Sequence, residues 1–340
     1  MIIRSKAPLR LGLAGGGTDV SPYSDLYGGN VLNATINLAA YCTIQPLTLP
    51  VMRVHSLDAG VCTEVPLGTG PVSSGALLID GVYRRILQDY GPVPAPGFSI
   101  TTYNDAPAGS GLGTSSTMVV CILKCFVEWM GIPLGDYELA RLAYEIERKD
   151  LLLSGGKQDQ YAAAFGGFNF MEFLPSDLVI VNPLKVKDWI VEELEASLLL
   201  YYTGRSREGA AIIEKQQQAT RAGNAVAVDA MHRIRQSALD MKLALLQGDM
   251  ASFAHIMGQA WEDKKKMADT ITNPMIQEAF DVAMKAGAIS GKVSGAGGGG
   301  FIMLMVPPER KYLLTQAMSQ LPGRVVPFQF TEKGAIAWKL

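Results

Sequence analysis

Residues 107–117, PAGSGLGTSST, decide the fold. Gly109, Gly111 and Gly113 alternate with small residues, so the backbone can take left-handed conformations and approach a ligand without Cβ interference. The extended apolar stretch FSITTYND comes before them. After Thr114, Ser115, Ser116 and Thr117, MVVCILKCFVEW carries apolar residues at helical spacing. A glycine loop therefore opens a helix. N–H groups without intrahelical acceptors and the positive end of the helix dipole meet there, a combination that suits phosphate. G-x-x-x-x-G-K-[ST] occurs nowhere in the chain, so this is not a Walker A loop, and the Rossmann spacing G-x-G-x-x-G is absent from the stretch. Taken alone, it could also be a glycine-rich turn that only packs a strand on a helix.

With 340 residues, 48% hydrophobic and 18% charged, the composition is that of a soluble globular protein with room for two domains. A formal charge of -2 and a pI near 6.0 supply no basic field for a nucleic-acid backbone. Cys42, Cys62, Cys121 and Cys125 follow no zinc spacing and are expected as buried small hydrophobes in a reducing compartment. The histidines, His55, His232 and His255, are too scattered for a metal cluster or a Ser-His-Asp set. No leader and no 18-residue apolar span is evident, so a cytoplasmic location is expected and a membrane one is not.

Strands are expected over residues 2–7 and 9–13, within 28–47, and at 61–67, 98–105 and 168–174. Helices are expected over 76–90, from Ser115, and over 136–152 with Asp136 as N-cap. The second half reads as a strand at 197–203, helices between 209 and 285, strands at 288–295 and 301–306, a helix at 308–321 and a strand at 324–330. Strands and helices mix without a strict βαβ repeat, which gives an α+β class in two layers per domain. Pro175 and Pro183 punctuate a boundary, giving domains 1–178 and 179–340.

Two more glycine-rich stretches complete a set: PLRLGLAGGGTD at 8–19 and KVSGAGGGG at 292–300. The latter contains G-x-G-x-x-G, but a strand pattern follows it where a dinucleotide fingerprint must open a helix. In order and spacing the three resemble the GHMP kinase superfamily, whose central motif is Pro, three residues, then Gly-Leu-Gly-Ser-Ser-Ala. Thr114 and Ser116 depart from that motif while staying small and hydroxylated. The resemblance implies a ribosomal protein S5 domain 2-like N-terminal domain and a ferredoxin-like C-terminal one. It also implies an enzyme that uses ATP and Mg²⁺.

By the same resemblance, Pro107, Gly109, Ser110, Gly111, Leu112, Gly113, Thr114, Ser115 and Ser116 wrap the ATP phosphates. Ser115, or failing it Ser116, helps hold the metal, and either serine could instead cap the helix. Asp159 in GGKQDQY is the expected catalytic carboxylate, with helix capping as its alternative, and Arg10 is expected beside the transferred phosphoryl. Glu147 is the expected acidic metal ligand. Glu145 on the same helix competes for that role, and the residues from Glu147 to Lys149 could simply be a solvated charged run. Asp19, with Gly16, Gly17 and Thr18, matches the sugar-binding segment of galactokinase-like members. Gly16 and Gly17 replace galactokinase's acidic residue and histidine, which puts galactose in doubt. Gly297 and Gly298 belong to the loop that closes beside the substrate.

Within the superfamily, GGGTDV, SGGKQDQYAAAFGG and YYTGRSREGAAIIEKQ are similar to kinases of D-glycero-D-manno-heptose 7-phosphate and to their fucokinase relatives, which act on the anomeric hydroxyl. A phosphorylated sugar needs cationic donors, for which Lys157, Arg205 and Arg207 are candidates alongside a plain surface role. The run Lys264 to Lys266 is expected as solvated helix surface. An unphosphorylated sugar such as fucose, or a non-catalytic binding role, are the competing alternatives. The expected partners are a sugar phosphate and ATP, without nucleic acid or membrane, in a monomer or homodimer.

Overall fold

A computed structural model describes residues 1–67, 76–205 and 209–340. The first sheet is built from β1 (Ile3–Ala14), β2 (Gly29–Leu47), β3 (Val51–Ser56), β4 (Val61–Pro66), β5 (Gly97–Asn104), β6 (Phe168–Phe173) and β7 (Val179–Pro183). The second contains β8 (Leu198–Tyr202), β9 (Ser290–Val293), β10 (Phe301–Met305) and β11 (Arg324–Val325), after which β12 (Ile336–Lys339) returns to the first. The helices are α1 (Tyr23–Tyr27), α2 (Leu77–Tyr90), α3 (Thr114–Met130), α4 (Asp136–Glu145), α5 (Gln158–Phe165), α6 (Asp188–Ser197), α7 (Gly209–Arg221), α8 (Ala225–Gln247), α9 (Met250–Lys265), α10 (Pro274–Lys285) and α11 (Lys311–Met318).

β2 is the spine of the first sheet, because it is long enough to hold different neighbours at its two ends. It pairs with β1 along its length, with β6 through Gly29 to Ala34, and with β5 through Ala40 to Leu47. Between those stretches residues 329–331 cover the spine: Asn37 N–H donates to Gln329 O at 2.9 Å and Thr35 Oγ1 donates to Thr331 O at 2.7 Å. All pairings in the sheet are antiparallel except β3 with β5. The β1–β2 register shifts between Pro8 and Arg10 and again between Gly12 and Ala14. Such bulges re-aim side chains, and here they flank Arg10.

The first core lies between this sheet and α2 to α5. α3 is apolar on nearly every side, as a helix must be when sheet and helices enclose it. Phe98 packs among Tyr83, Phe126 and Trp129, with ring centroids 5.2, 5.5 and 5.6 Å away. The other face of β1, β2 and β6 meets the second sheet. Alternation along β8 sends Leu198, Leu200 and Tyr202 to that shared core, with α8 and α9, and sends Leu199 and Tyr201 to a third core with α10 and α11.

The architecture is α+β, and the strand and helix expectations fall on observed elements, with several differences. The 178/179 division cuts the β6–β7 hairpin, and β12 pairs with β1, so the first sheet draws strands from both proposed domains. β3, β7, β12 and the short helices α1 and α6 lie where no element was expected. Gly135, not Asp136, caps α4, and Asp136 is the first helical residue. α4 also ends early, at Glu145, and a wider π-type turn occupies Ile146–Asp150. Cys62 is exposed, unlike the other three cysteines. No helix among the described residues is long and apolar enough to cross a membrane.

Phe98→Ala empties a fully buried ring site between β5 and α3. It is expected to cost about 3–5 kcal/mol in a urea titration, and a loss under ~1 kcal/mol would show that the aromatic cluster does not anchor α3.

Candidate active site

Three glycine loops from both sheets converge on a cleft of about 310 Å³. Gly113 closes the loop before α3 with φ 77°, in the left-handed region, as do Gly109 and Gly111. A Cβ on Gly111 would fall 2.4 Å from Ser294 O, and one on Gly295 would fall 2.7 Å from Gly111 Cα. The second and third loops therefore touch backbone to backbone. Phe301 N–H donates to Ser110 O at 2.9 Å and Ser294 Oγ donates to Gly111 O at 2.7 Å, locking the pair.

From the bulged β1, Arg10 reaches into this junction. Its Nη1 donates to Gly111 O at 2.6 Å, while Nε and Nη2 lie 2.6 and 2.5 Å from Asp159 Oδ1. Both contacts fall on one carboxylate oxygen. Asp159 Oδ2 has no hydrogen-bond partner among the described residues and lies 3.2 Å from the position of a Cβ on Gly113. In the first turn of α5, the carboxylate thus abuts the glycine loop with an oxygen to spare.

Asp19 is buried beside it. Its Oδ1 accepts from Gly17 N–H at 3.1 Å and Gln158 Nε2 at 3.0 Å, and its Oδ2 accepts from Gln158 N–H at 3.1 Å. Burial raises its pKa and the nearby charge of Asp159 adds to that, against the backbone donors, which lower it.

The π-type turn decides which acidic residue faces the cleft. Glu147 is buried and accepts from Gln160 Nε2 at 2.5 Å and Ser115 Oγ at 3.2 Å. Glu145 points away and pairs with Arg85 at 2.6 Å. An extra residue in a helical turn rotates the side chains beyond it, a frequent device at functional sites. The donor set here is hydroxyl and carboxylate oxygen, the hard ligands a small divalent cation takes in ones and twos. No cluster of three or more metal-binding side chains of His, Cys, Asp or Glu type occurs among the described residues.

Of the expected residues, Arg10, Gly16, Gly17, Asp19, Gly109, Gly111, Gly113, Thr114, Ser115, Ser116, Glu147, Asp159 and Gly297 line the cleft. Thr18 is buried and bonds Gly15 O and Asn30 O, shaping its loop from behind. Leu112 is a core residue, and Ser110 is buried with its hydroxyl unpartnered. Gly298 is tied to Ile271 O and Asn273 Nδ2, and Pro107 does not line the cleft. Lys157 is not in the cleft: its ammonium pairs with Asp177 at 2.5 Å, behind α5. Arg205 is exposed and outside the cleft lining, and Arg207 lies outside the described residues.

Three cations were missed by sequence reasoning. Lys264, expected at the surface, is 5% exposed and lines the cleft. Its inward position was visible in the spacing of Phe253, Ala254, Met257, Ala260 and Trp261, a stripe that Lys264 continues. Lys292 is buried and donates to Gly12 O at 2.9 Å and Leu13 O at 3.0 Å. Arg148 bridges Gly156 O at 3.3 Å and Leu153 O at 3.3 Å, with Ser116 Oγ 3.5 Å away. Burial lowers the pKa of Lys264 to about 8 and that of Lys292 well below the usual lysine range; neighbouring cations add to both shifts, and Asp19 opposes the one at Lys264.

A glycine loop that opens a helix, a carboxylate beside it and a group of cations make an arrangement suited to phosphoryl transfer. Comparison with known proteins agrees. Residues 77–167 match the GHMP kinases N terminal domain and residues 241–321 match GHMP kinases C terminal. The chain is 45% identical to the D-glycero-alpha-D-manno-heptose 7-phosphate kinase of Campylobacter jejuni, covering 99% of each. It is 58% identical to a solved D-glycero-D-manno-heptose 1-phosphate kinase from Bacteroides thetaiotaomicron, with a TM-score of 0.84 over 99% of both chains. At 28% identity, 98% of the chain also matches 38% of the L-fucokinase/L-fucose-1-P guanylyltransferase of Bacteroides fragilis. With its three loops meeting at one cleft and relatives this similar over its full length, the chain belongs to the GHMP kinase family.

Proposed function

We propose that this sugar kinase transfers the γ-phosphoryl of ATP to the anomeric hydroxyl of D-glycero-D-manno-heptose 7-phosphate, giving the 1,7-bisphosphate. One observation carries the chemistry: Asp159 holds a free carboxylate oxygen against the glycine loop while Arg10 fixes its partner oxygen. The 45% identity to a heptose 7-phosphate kinase supports the acceptor.

In this mechanism Asp159 Oδ2 orients the C1 hydroxyl and takes its proton as the hydroxyl oxygen bonds to the γ-phosphorus and the bond to the β–γ bridging oxygen breaks. Arg10 stays in ion contact with Oδ1 and stops the carboxylate from turning away. Amides of the loop before α3 hold the phosphates, and the left-handed glycines leave the space that side chains would fill. Asp19, held by Gln158 and the Gly17 N–H, presents a preset acceptor to the sugar. Ser115 and Glu147 would hold Mg²⁺, which when bound offsets the negative charge of the phosphates. The nature of the substrates fits a cytoplasmic enzyme.

The two heptose kinase relatives carry names with the phosphate at different positions. An acceptor already esterified at C1 has no free anomeric hydroxyl, so the acceptors separate by assay. Heptose 7-phosphate is expected to turn over at least about tenfold faster, in kcat/KM, than heptose 1-phosphate or fucose, with a new anomeric ³¹P signal coupled to H1. Equal rates on fucose would favour the unphosphorylated-sugar alternative, and preference for heptose 1-phosphate would move the transfer away from C1.

Asp159→Asn is expected to lower kcat by about 10²-fold or more while ATP-analogue affinity in calorimetry changes little. Turnover within about tenfold of wild type would remove Asp159 from proton transfer. Gly111→Val places a branched side chain where Ser294 O lies 2.4 Å from the Cβ. Loss of nucleotide binding is expected in the same calorimetric assay, and unchanged affinity would place the triphosphate elsewhere.

A further inference from the structure

Among the described residues, Lys264 is the charged side chain of the cleft with the fewest protein partners. Arg10 faces Asp159, Arg148 lies 3.7 Å from Glu147 and bonds two carbonyls, and Lys292 is held by the carbonyls of β1. Lys264 has a single acceptor, Gly295 O at 2.5 Å, and no ion pair among the described residues. An ammonium carries three donors, so two remain without a protein acceptor. Burying a cation in that state is costly unless an anion arrives to pair with it.

Its location says which anion. Lys264 Nζ lies 3.9 Å from the position of a Cβ on Gly16, in the loop that continues to Asp19. Its acceptor, Gly295, abuts Gly111 of the phosphate loop. The ammonium therefore bridges the sugar-side loop and the nucleotide-side loop near Arg10, which in turn holds Asp159.

We propose that Lys264 contacts the phosphoryl group as it passes between ATP and the sugar hydroxyl, and stabilises the charge that spreads over its oxygens. This rests on the kinase function proposed above. Charge stabilisation by a fixed, water-excluded cation is worth most in the transition state, so its removal shows in kcat more than in binding. The charged groups around it are Arg10 from β1, Asp19 from the loop after β1 and Lys292 from β9. With a pKa lowered to about 8, Lys264 is cationic below that pH and neutral above it. Wild-type kcat/KM is therefore expected to fall on the alkaline side, as the free enzyme loses this charge.

The test compares the full chain with Lys264→Met and Lys264→Arg, on unphosphorylated heptose and on heptose 7-phosphate. Lys264→Met is expected to lose roughly 100-fold or more in kcat on both acceptors alike, with affinity for a non-hydrolysable ATP analogue kept within about threefold. Lys264→Arg, which keeps its charge, is expected to recover at least about tenfold and to move the alkaline limb up by about one pH unit or more. A loss confined to heptose 7-phosphate would overturn the assignment and place Lys264 on the terminal phosphate. A kcat within about threefold of wild type on both acceptors, or an equal collapse of nucleotide affinity, would overturn it as well. Wild type inert toward every sugar would instead sink the kinase function, and the proposal with it.

Discussion

The contact on which the site depends is made by main chain alone, where Gly295 lies against Gly111. Two loops, one opening a helix beneath the first sheet and the other leaving the edge strand of the second, come closer there than any pair of side chains would allow. Because nothing projects between them, the Ser110 and Gly111 carbonyls are satisfied by Phe301 N–H, Ser294 Oγ and Arg10 Nη1. Those same bonds fix where Arg10 points, and hence where Asp159 is held. The loop before α3, the Asp159 carboxylate and the loop after β9 are one packed unit, so geometry in any of them is set by the other two.

A second constraint is electrostatic. Four cations and three carboxylates share one cleft, and protein contacts balance most of them without balancing all. Arg10 with Asp159 and Arg148 near Glu147 are near-neutral couples, whereas Lys264 and Lys292 leave an excess of positive charge. Burial lowers the pKa of both lysines, and the neighbouring cations add to it. An anion bound there would complete this arrangement, which would make ligand binding and charge balance the same event.

Much of this was legible in the chain because glycine carries an unusually specific message. Three clusters at 12–17, 109–113 and 295–300 marked where backbone must turn tightly or pass close to something, and the two helices after the central loop were marked by periodicity. Lys264 was obscured by its neighbours: among three consecutive lysines the eye sees a solvated run, although helical geometry turns Lys265 and Lys266 outward and Lys264 inward. Arg148 and the choice between Glu145 and Glu147 depend on a wider turn over Ile146–Asp150, and no local composition marks where a helix changes pitch. Lys157 misled in the opposite sense. It sits in a glycine-rich segment beside Asp159, yet its ammonium swings behind α5 to Asp177, which occupies a left-handed turn far along the chain. The β6–β7 hairpin was hidden by Pro175 and Pro183, which punctuate it without ending the sheet.

β12 has a consequence for how the molecule is made. β1 is synthesised well before β12, and Ile3 to Lys6 find one of their two neighbours only when Ile336 to Lys339 arrive. Until then the outer rim of that strand presents unpaired amides to the cell, a template for mispairing between nascent chains. Closure of the rim joins residues more than three hundred positions apart, a contact that forms slowly. Between the synthesis of the two strands, that rim is the stretch of the first sheet where protection against mispairing matters most.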